Sequence, residues 1–367
     1  MNIAFLVERP TQFEAPFYRF AARDPEHELR VLFTAPDLAD AVFDPELGRS
    51  ISWGIDLLGG YPYEVCPAWG QAGWLAERLE RTDLLIVNGY TRRTYLLAAL
   101  LARRAGVPAA LRLDSVAWSG SLAAKRWLYA LFLRRIYSLF FAVGGRTLEF
   151  LREVGVPPER AAVFSYTVDV EHFREESGRA DRAAVRGRLG VPDGAKVVLS
   201  LAKFNDREAP WDLLRAFQRL GQDNVWLVLA GDGPARGELE RAAGPRVRFP
   251  GYVPYPELPA LYAAADLFVH PAREERWGVS VQEALACGLP VIASSRVGAA
   301  ADLIEPGGNG FPYEAGDEAG LAARIGEALA LPPARVREAS GHILSRWDYA
   351  AMWSNILEAA SRVRRSS

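Results

Sequence analysis

Two glutamates, Glu275 and Glu283, stand with seven residues between them, and the segment Gly278-Val279-Ser280 lies in that interval. A buried strand, Leu267–Val269, is expected to end at His270-Pro271. A helix is expected to open at Gly278, run through Glu283 and Ala286, and stop where Gly288 caps it before Pro290. The first N–H groups of such a helix have no partner inside it. With the positive end of the helix dipole they make a place for an anion, phosphate above all. Gly278, Val279 and Ser280 supply those groups, and a side chain at Gly278 would hold a ligand off the backbone. A carboxylate beside a phosphate is repulsive unless it binds something else, and hydroxyls suit it best. One glutamate on a ribose diol and the other on a sugar hydroxyl reconciles both with a phosphate. Each also has an ordinary reading. Ser280-Val281-Gln282-Glu283 has the form of a capping box, in which Glu283 only closes the helix start. Glu275, among Arg273, Glu274 and Arg276, could be a solvated loop charge.

Other chemistries are poorly served. A phosphate-binding Walker loop needs Gly-Lys-Ser/Thr, and none of the three lysines (Lys125, Lys196, Lys203) follows a glycine. Gly231-Asp232-Gly233-Pro234-Ala235-Arg236-Gly237 imitates a dinucleotide fingerprint but has Arg236 where the third glycine belongs. Pro234 also removes an N–H, so a tight strand-to-helix turn is the better reading. His27, His172, His270 and His342 show no ligand spacing with one another or with Cys66 and Cys287, and no Asp-x-Asp pair is present. The expectation is a reaction with no metal and no cofactor. A formal net charge of -2 gives no field to recruit nucleic acid.

The elements that must position these residues emerge from the apolar pattern. The chain has 367 residues, half of them hydrophobic and 24% charged, enough for two domains of a globular enzyme. Short apolar runs alternate with helical stretches, which implies α/β architecture with parallel sheets. Strand candidates in the first half are Ile3–Val7, Leu29–Phe33, Leu84–Val87, Ala109–Leu113 and Ala161–Phe164. In the second they are Lys196–Leu201, Val225–Ala230, Val247–Phe249, Leu267–Val269 and Val291–Ser294. A helix over Thr91–Arg104 is closed by Gly106 and Pro108. The expected division is residues 1–167, a linker with its leading helix over 168–193, a second domain over 194–345, and an amphipathic C-terminal helix over 346–367 that returns to the first domain. In such folds ligands bind at the carboxyl ends of strands, which makes the cleft between the halves the default site. Cys66 and Cys287 read better as buried free thiols than as a disulfide. The N-terminus lacks the features of a signal peptide and no apolar run reaches spanning length, so a cytoplasmic enzyme is expected. Residues 124–135, rich in Lys, Arg and aromatics, invite a weak peripheral contact with the inner membrane surface, but their basic side chains scatter around a helical wheel. A packed helix with charged ends fits them better.

Glu275 and Glu283, followed by Ala284-Leu285-Ala286-Cys287-Gly288-Leu289-Pro290-Val291-Ile292-Ala293, resemble the Glu-x7-Glu signature of family-4 (group 1) retaining glycosyltransferases. Val228–Pro234, Phe249–Val253, Leu261–Asp266 and Gly310-Phe311 fall in the family's usual order. The resemblance implies a GT-B fold, two Rossmann-like domains facing each other across a cleft. It also implies transfer of a sugar from a nucleotide-diphosphate sugar to an acceptor, with retention of configuration. Glu275 would contact the transferred sugar, Glu283 the ribose, and backbone at Tyr252 and Val253 the base. The family carries an Arg/Lys pair, five positions apart, that neutralises the donor diphosphate. Lys203 fits the first position, but Glu208 falls where the lysine belongs, so the second role passes to its neighbour Arg207. The alternative for Arg207 is a surface charge at a helix start.

The first half resembles the family only in outline. Where many members have glycines after the first strand, this chain has Arg9-Pro10-Thr11-Gln12-Phe13-Glu14-Ala15-Pro16. Thr11 and Gln12 could meet acceptor or phosphate, or the segment could simply be a rigid turn. Asp114, in Leu113-Asp114-Ser115, either orients an acceptor hydroxyl or caps the next segment of chain. A nucleotide-sugar epimerase of the same fold and a silent nucleotide-sugar-binding subunit are the alternatives to transfer. The sugar, base and acceptor are not specified.

Overall fold

The computed structural model describes residues 1–366 except 36, 37, 39, 40, 45, 47, 48 and 116–130; the side chains of 41–43, 49, 51 and 364–366 are also outside the description. Its strands are β1 (Asn2–Val7), β2 (Glu28–Phe33), β3 (Ala41–Asp44), β4 (Arg49–Ser52), β5 (Tyr63–Val65), β6 (Leu84–Asn88), β7 (Ala109–Leu113), β8 (Leu139–Ala142), β9 (Ala161–Val163), β10 (Lys196–Lys203), β11 (Val225–Asp232), β12 (Val247–Gly251), β13 (Leu267–His270), β14 (Val291–Ser294) and β15 (Gly310–Tyr313).

The chain divides into two compact units. The first comprises Met1–Ala39, Asp56–Val168 and Trp347–Ser367; the second comprises Asp40–Ile55 and Asp169–Arg346. In the first, seven parallel strands run in the order β5-β2-β1-β6-β7-β8-β9. β1, β6 and β8 carry unbroken apolar runs because helices cover both faces of a parallel sheet. Tyr95, Ala98, Ala99 and Ala102 of the helix Arg93–Arg104 pack into a core with Leu85, Val87 and Leu111. The C-terminal helix, Tyr349–Ser366, belongs to this unit. Trp353 Nε1 donates to Asp24 Oδ2 at 2.7 Å, Asn355 Nδ2 donates to the Val163 carbonyl at 3.1 Å, and the Tyr349 ring meets Phe17 edge-on.

In the second unit six parallel strands run β12-β11-β10-β13-β14-β15, joined by helices, and β3 and β4 form a separate antiparallel pair. The segment 168–193, read as linker and one helix, forms two helices, Val170–Arg179 and Arg182–Leu189. Asp169 and Asp181 cap them by accepting from His172 and Ala184 N–H groups. The core gathers Val198, Leu213, Leu227, Leu229, Val269, Ile292 and Leu321. β10 lies between β11 and β13. Its carboxyl end therefore sets Lys203 on the same sheet edge as His270, the last residue of β13. The Gly231–Gly237 segment is the strand-to-helix turn expected of it, with the next helix beginning at Arg236. Gly231 passes so close to β10 that a Cβ there would lie 1.9 Å from the Ala202 carbonyl oxygen. Cys66 and Cys287 are both free thiols, so the disulfide alternative falls.

Candidate functional site

The loop after β13 is fixed along its length. Tyr313 Oη donates to the Pro271 carbonyl at 3.3 Å, and Ser294 Oγ donates to that of Ala272. Arg273 grips the buried Asp212 with two hydrogen bonds, Nε at 3.0 Å and Nη2 at 2.8 Å, a bidentate geometry that sets orientation as well as distance. Its backbone N–H donates to the Arg207 carbonyl at 2.8 Å, which ties this loop to the one after β10. Glu275 then bridges to the strand-end loop after β14: its N–H donates to the Arg296 carbonyl, and its own carbonyl accepts from Gly298 at 2.9 Å. Glu275 Oε1 accepts from Trp277 N at 3.3 Å, and Oε2 lies 3.6 Å from Arg207 Nη1. A half-buried carboxylate held by both its backbone and its oxygens is not an ordinary solvated loop charge.

The helix Val279–Ala286 starts from Gly278, whose backbone (φ 95°, ψ 71°) is in the left-handed region. A Cβ there would lie 2.9 Å from Val297 Cγ1 and 3.3 Å from His270 Nε2, so both conformation and space require glycine. Among the described residues no side-chain hydrogen bond caps this helix start, and the capping box therefore does not form. Ser280 is one residue inside the helix rather than before it, and Glu283 turns away: Tyr262 Oη donates to its Oε2 at 2.8 Å. Glu283 is 4% exposed, and burial pushes its carboxyl up to about 7 against the opposing hydrogen bond.

Beside this helix start stand the cations of the β10 loop. Arg207 Nη2 is 2.9 Å from Glu208 Oε1 and 3.4 Å from Glu46 Oε2, while Lys203 Nζ is 2.6 Å from Glu46 Oε2 and 2.8 Å from Asp44 Oδ2. Asp44 ends β3, and Glu46 comes after it before β4 begins, so the small hairpin presents both acids to the cations. Glu208 is buried. Burial raises its carboxyl to about 7, with Arg207 opposing and Glu275 reinforcing. Ala209, between Glu208 and Pro210, is the only non-glycine with positive φ (51°) among the described residues, and a residue before proline is a costly place for it.

Folding also joins what sequence spacing keeps apart. Glu208, His270 and Glu275 each bring one potential ligand atom to within 4.8 Å of the others. His270 is fully buried, which pushes its imidazole pKa down, and its Nδ1 has no hydrogen-bond partner among the described residues.

The remaining expected residues are distributed more loosely. Tyr252 and Val253 come after β12 and are half-buried; Tyr252 Oη donates to the Ser52 carbonyl at 3.3 Å. In the first unit, Thr11 Oγ1 accepts from Glu14 N and donates to Glu14 Oε2, both at 3.2 Å, which satisfies the first N–H of the helix Glu14–Ala21. Gln12 has a buried Oε1 without a hydrogen-bond partner among the described residues, and Asp114 is half-buried at the end of β7. The same unit holds a buried pair that motif and spacing do not reveal. Arg112 Nη1 donates to Glu14 Oε1 at 2.8 Å, both residues buried, and Arg112 also donates to the Phe164 and Ser165 carbonyls. Its one signal in the sequence is a lone arginine inside the apolar strand Ala109–Leu113. The basic and aromatic stretch 124–135 lies outside the described residues up to 130; residues 131–136 are helical. No described helix is long and apolar enough to cross a membrane.

Residues 181–340 match the family described as "Glycosyl transferases group 1", and residues 19–167 match "Glycosyl transferase 4-like domain". Among curated relatives, the chain is 35% identical over 198 residues to D-inositol 3-phosphate glycosyltransferase 1 of Catenulispora acidiphila, covering 50% of this chain and 46% of that protein. It is 34% identical over 224 residues to the GDP-mannose-dependent alpha-mannosyltransferase of Mycobacterium tuberculosis, covering 59% and 56%. The matched stretches thus span about half the length of these relatives. Solved structures agree over nearly the whole chain. Anabaena HepE in complex with UDP superposes with a TM-score of 0.76 at 20% identity, covering 98% of this chain and 100% of that one. A glycosyltransferase from Rickettsia africae gives 0.78 at 14% identity, covering 100% and 99%. Two parallel-sheet α/β units, that likeness of fold and the two family matches make one conclusion: the chain belongs to the group 1 glycosyltransferases of the GT-B fold.

Proposed function

We propose that this glycosyltransferase moves a hexose from a nucleotide-diphosphate sugar to a hydroxyl-bearing acceptor with retention of anomeric configuration. The donor site is the group around the Gly278 helix start. The observation that carries this reading is the setting of Glu275, fixed by its backbone and facing Arg207 at 3.6 Å, beside a helix start that no side chain caps among the described residues. Backbone N–H groups of Gly278, Val279 and Ser280, with Arg207 and Lys203, receive the diphosphate and stabilise its charge as it leaves. Glu275 accepts from the transferred sugar, Glu283 from the ribose, and the chain at Tyr252 and Val253 edges the base. The leaving diphosphate helps take the acceptor proton on the same face of the sugar. Thr11, Gln12 and Asp114 are the acceptor-side candidates.

The relatives' names, one GDP-mannose-dependent and one complexed with UDP, make UDP- and GDP-linked hexoses the donors to try first, and inositol phosphates the first acceptors. Product analysis by NMR tests the reading. A glycoside with the donor's own anomeric configuration supports it, and an inverted product contradicts retention. An altered donor sugar without acceptor would make the chain an epimerase, and donor binding with no turnover would make it a silent binding subunit.

A further inference from the structure

A cavity of about 670 Å3 lies wholly within the first unit. Pro108 precedes β7, Ser138 precedes β8 and Arg160 precedes β9, and all three line it, so it sits at the amino ends of these strands. Asp114, an acceptor-side candidate, follows β7 at its carboxyl end, on the opposite edge of the same sheet. Substrates of such folds bind at carboxyl ends, so a ligand here is separate from the sugar acceptor. The lining is strongly basic. Arg103, Arg134, Arg135, Arg160 and Arg362 border the cavity against one acid, Glu159. The whole chain has 43 lysines and arginines and 45 acids, so this excess is local and does not reflect composition. Among the described residues no carboxylate pairs with Arg103, Arg134, Arg135 or Arg160. Arg160 bonds to main chain instead: Nε donates to the Ser138 carbonyl at 2.9 Å, and Nη2 to those of Arg134, at 3.0 Å, and Tyr137. Arg134 Nη1 donates to the Val154 carbonyl at 3.5 Å. Arg134 and Arg160 are both half-buried. Burial, and then the charge of Arg134, push the Arg160 guanidinium below its usual pKa, with Glu159 opposing. Partly desolvated cations that repel one another are costly, and an anion bound among them offsets that cost.

We propose that this cavity binds a phosphate ester, with Arg103, Arg134 and Arg135 on the phosphate and Arg160 holding the wall behind them. The guanidinium fork matches phosphate oxygens two at a time, and several arginines converging on one cavity suit a phosphate better than a single carboxylate. Arg160 acts as a positioning residue. Its bonds to the carbonyls of Arg134, Tyr137 and Ser138 tie the helical residues 131–136 to the turn Pro158–Arg160 and so set Arg134 and Arg135 at the cavity. The helix dipole explains only part of this arrangement. Arg103 stands in the last turn of Arg93–Arg104, where a cation is favourable, but that effect acts on each helix by itself and does not gather five arginines around one space. Buried Ile136 and half-buried Val107 give the cavity an apolar part, which suits the organic portion of an ester rather than a bare ion. The volume is that of a small-molecule site. A soluble phosphate ester and the headgroup of an anionic phospholipid present the same chemistry to these arginines. The site stands independently of the donor-site reading.

Two probes distinguish the sources, both used with the full chain at physiological ionic strength, where diffuse surface attraction is screened. Glycerol 3-phosphate is titrated by calorimetry, and the chain is sedimented with phosphatidylcholine vesicles that contain or lack phosphatidylglycerol. The expected result is saturable binding of glycerol 3-phosphate, or sedimentation only with the phosphatidylglycerol vesicles. Either should weaken about tenfold or more in the double variant Arg103→Gln/Arg135→Gln, which removes two charge-assisted contacts. Both positions are exposed, and circular dichroism establishes that the variant is folded. Arg23→Gln/Arg104→Gln, which removes the same charge from exposed positions of this unit outside the cavity, should leave binding unchanged, as should Arg207→Ala in the second unit. Binding of the soluble ester assigns a soluble ligand, and vesicle sedimentation without it assigns a lipid headgroup. Failure of both probes to bind overturns the proposal. So does binding that survives Arg103→Gln/Arg135→Gln, falls equally in Arg23→Gln/Arg104→Gln, or is lost in Arg207→Ala.

Discussion

Tyr262 Oη donates a hydrogen bond to Glu283 Oε2 across 2.8 Å, and both residues are buried beneath the helix start at Gly278. This contact orients the carboxylate that the proposed function places on the donor ribose and leaves its second oxygen for a ligand.

The same burial makes Glu283 a stability liability at high pH. Its carboxyl is raised from 4.5 to about 7, so the folded state favours the protonated form. That contribution is fully present below about pH 4.5 and is lost as pH rises through 7. Glu283→Gln should therefore be more stable than the unmodified chain at pH 8, by up to roughly 3 kcal/mol, with the difference closing by pH 5. Urea unfolding at the two pH values, without ligand, checks this; an equal difference at both would mean that the carboxyl's ionisation is not the cause.

Function should move the other way. Glu283→Gln is expected to raise the donor Kd by about tenfold to a hundredfold, the size of one charge-assisted hydrogen bond. Glu275→Gln, on the sugar rather than the nucleotide, should lower kcat more than it weakens donor binding. Steady-state kinetics paired with donor titration separates the two, and small, equal effects from both substitutions would contradict the assignment.

How much of this was legible in the sequence depended on separation along the chain. Parallel strands such as Leu84–Asn88 and Val291–Ser294 are buried on both faces and show as continuous apolar runs. β8 did not stand out, because Leu139–Ala142 sits in a long apolar and aromatic stretch that reads equally as helix. β5, with three residues, and the β3–β4 pair are too short to carry a pattern. At the site, Glu275, Gly278 and Glu283 are near neighbours in sequence and could be found by spacing. The acids of the β3–β4 hairpin on Lys203, His270 against Glu208, and Tyr262 on Glu283 come together only through the fold of the second unit. A capping box was legible too, but the left-handed backbone at Gly278 moves the helix start forward and leaves no place for it.

Gly278→Ala tests the backbone there. The substitution forces a side chain into the left-handed region and against Val297 and His270, at a cost of roughly 1–3 kcal/mol. Thermal unfolding should show that loss, and nucleotide affinity should fall with it. A variant as stable as the parent chain would mean that the backbone relaxes freely at this turn.

The C-terminal helix is expected to be part of the first unit's stability rather than an appendage. Trp353 is 6% exposed and bonded to Asp24, so Trp353→Ala should destabilise by about 3–5 kcal/mol. Loss of the cooperative unfolding transition on truncation before Trp347 would agree with this; an unchanged transition would not.

On the proposed function the Gly278 helix start, with Arg207 and Glu283, binds the diphosphate and ribose of a nucleotide-sugar. Calorimetric titration of UDP- and GDP-hexoses into the unmodified chain, Arg207→Ala and Glu283→Gln addresses it directly. The expected result is saturable binding of at least one donor to the unmodified chain, about tenfold or more weaker in each variant. No saturable binding of any of these donors, or binding that both variants leave unchanged, would contradict it.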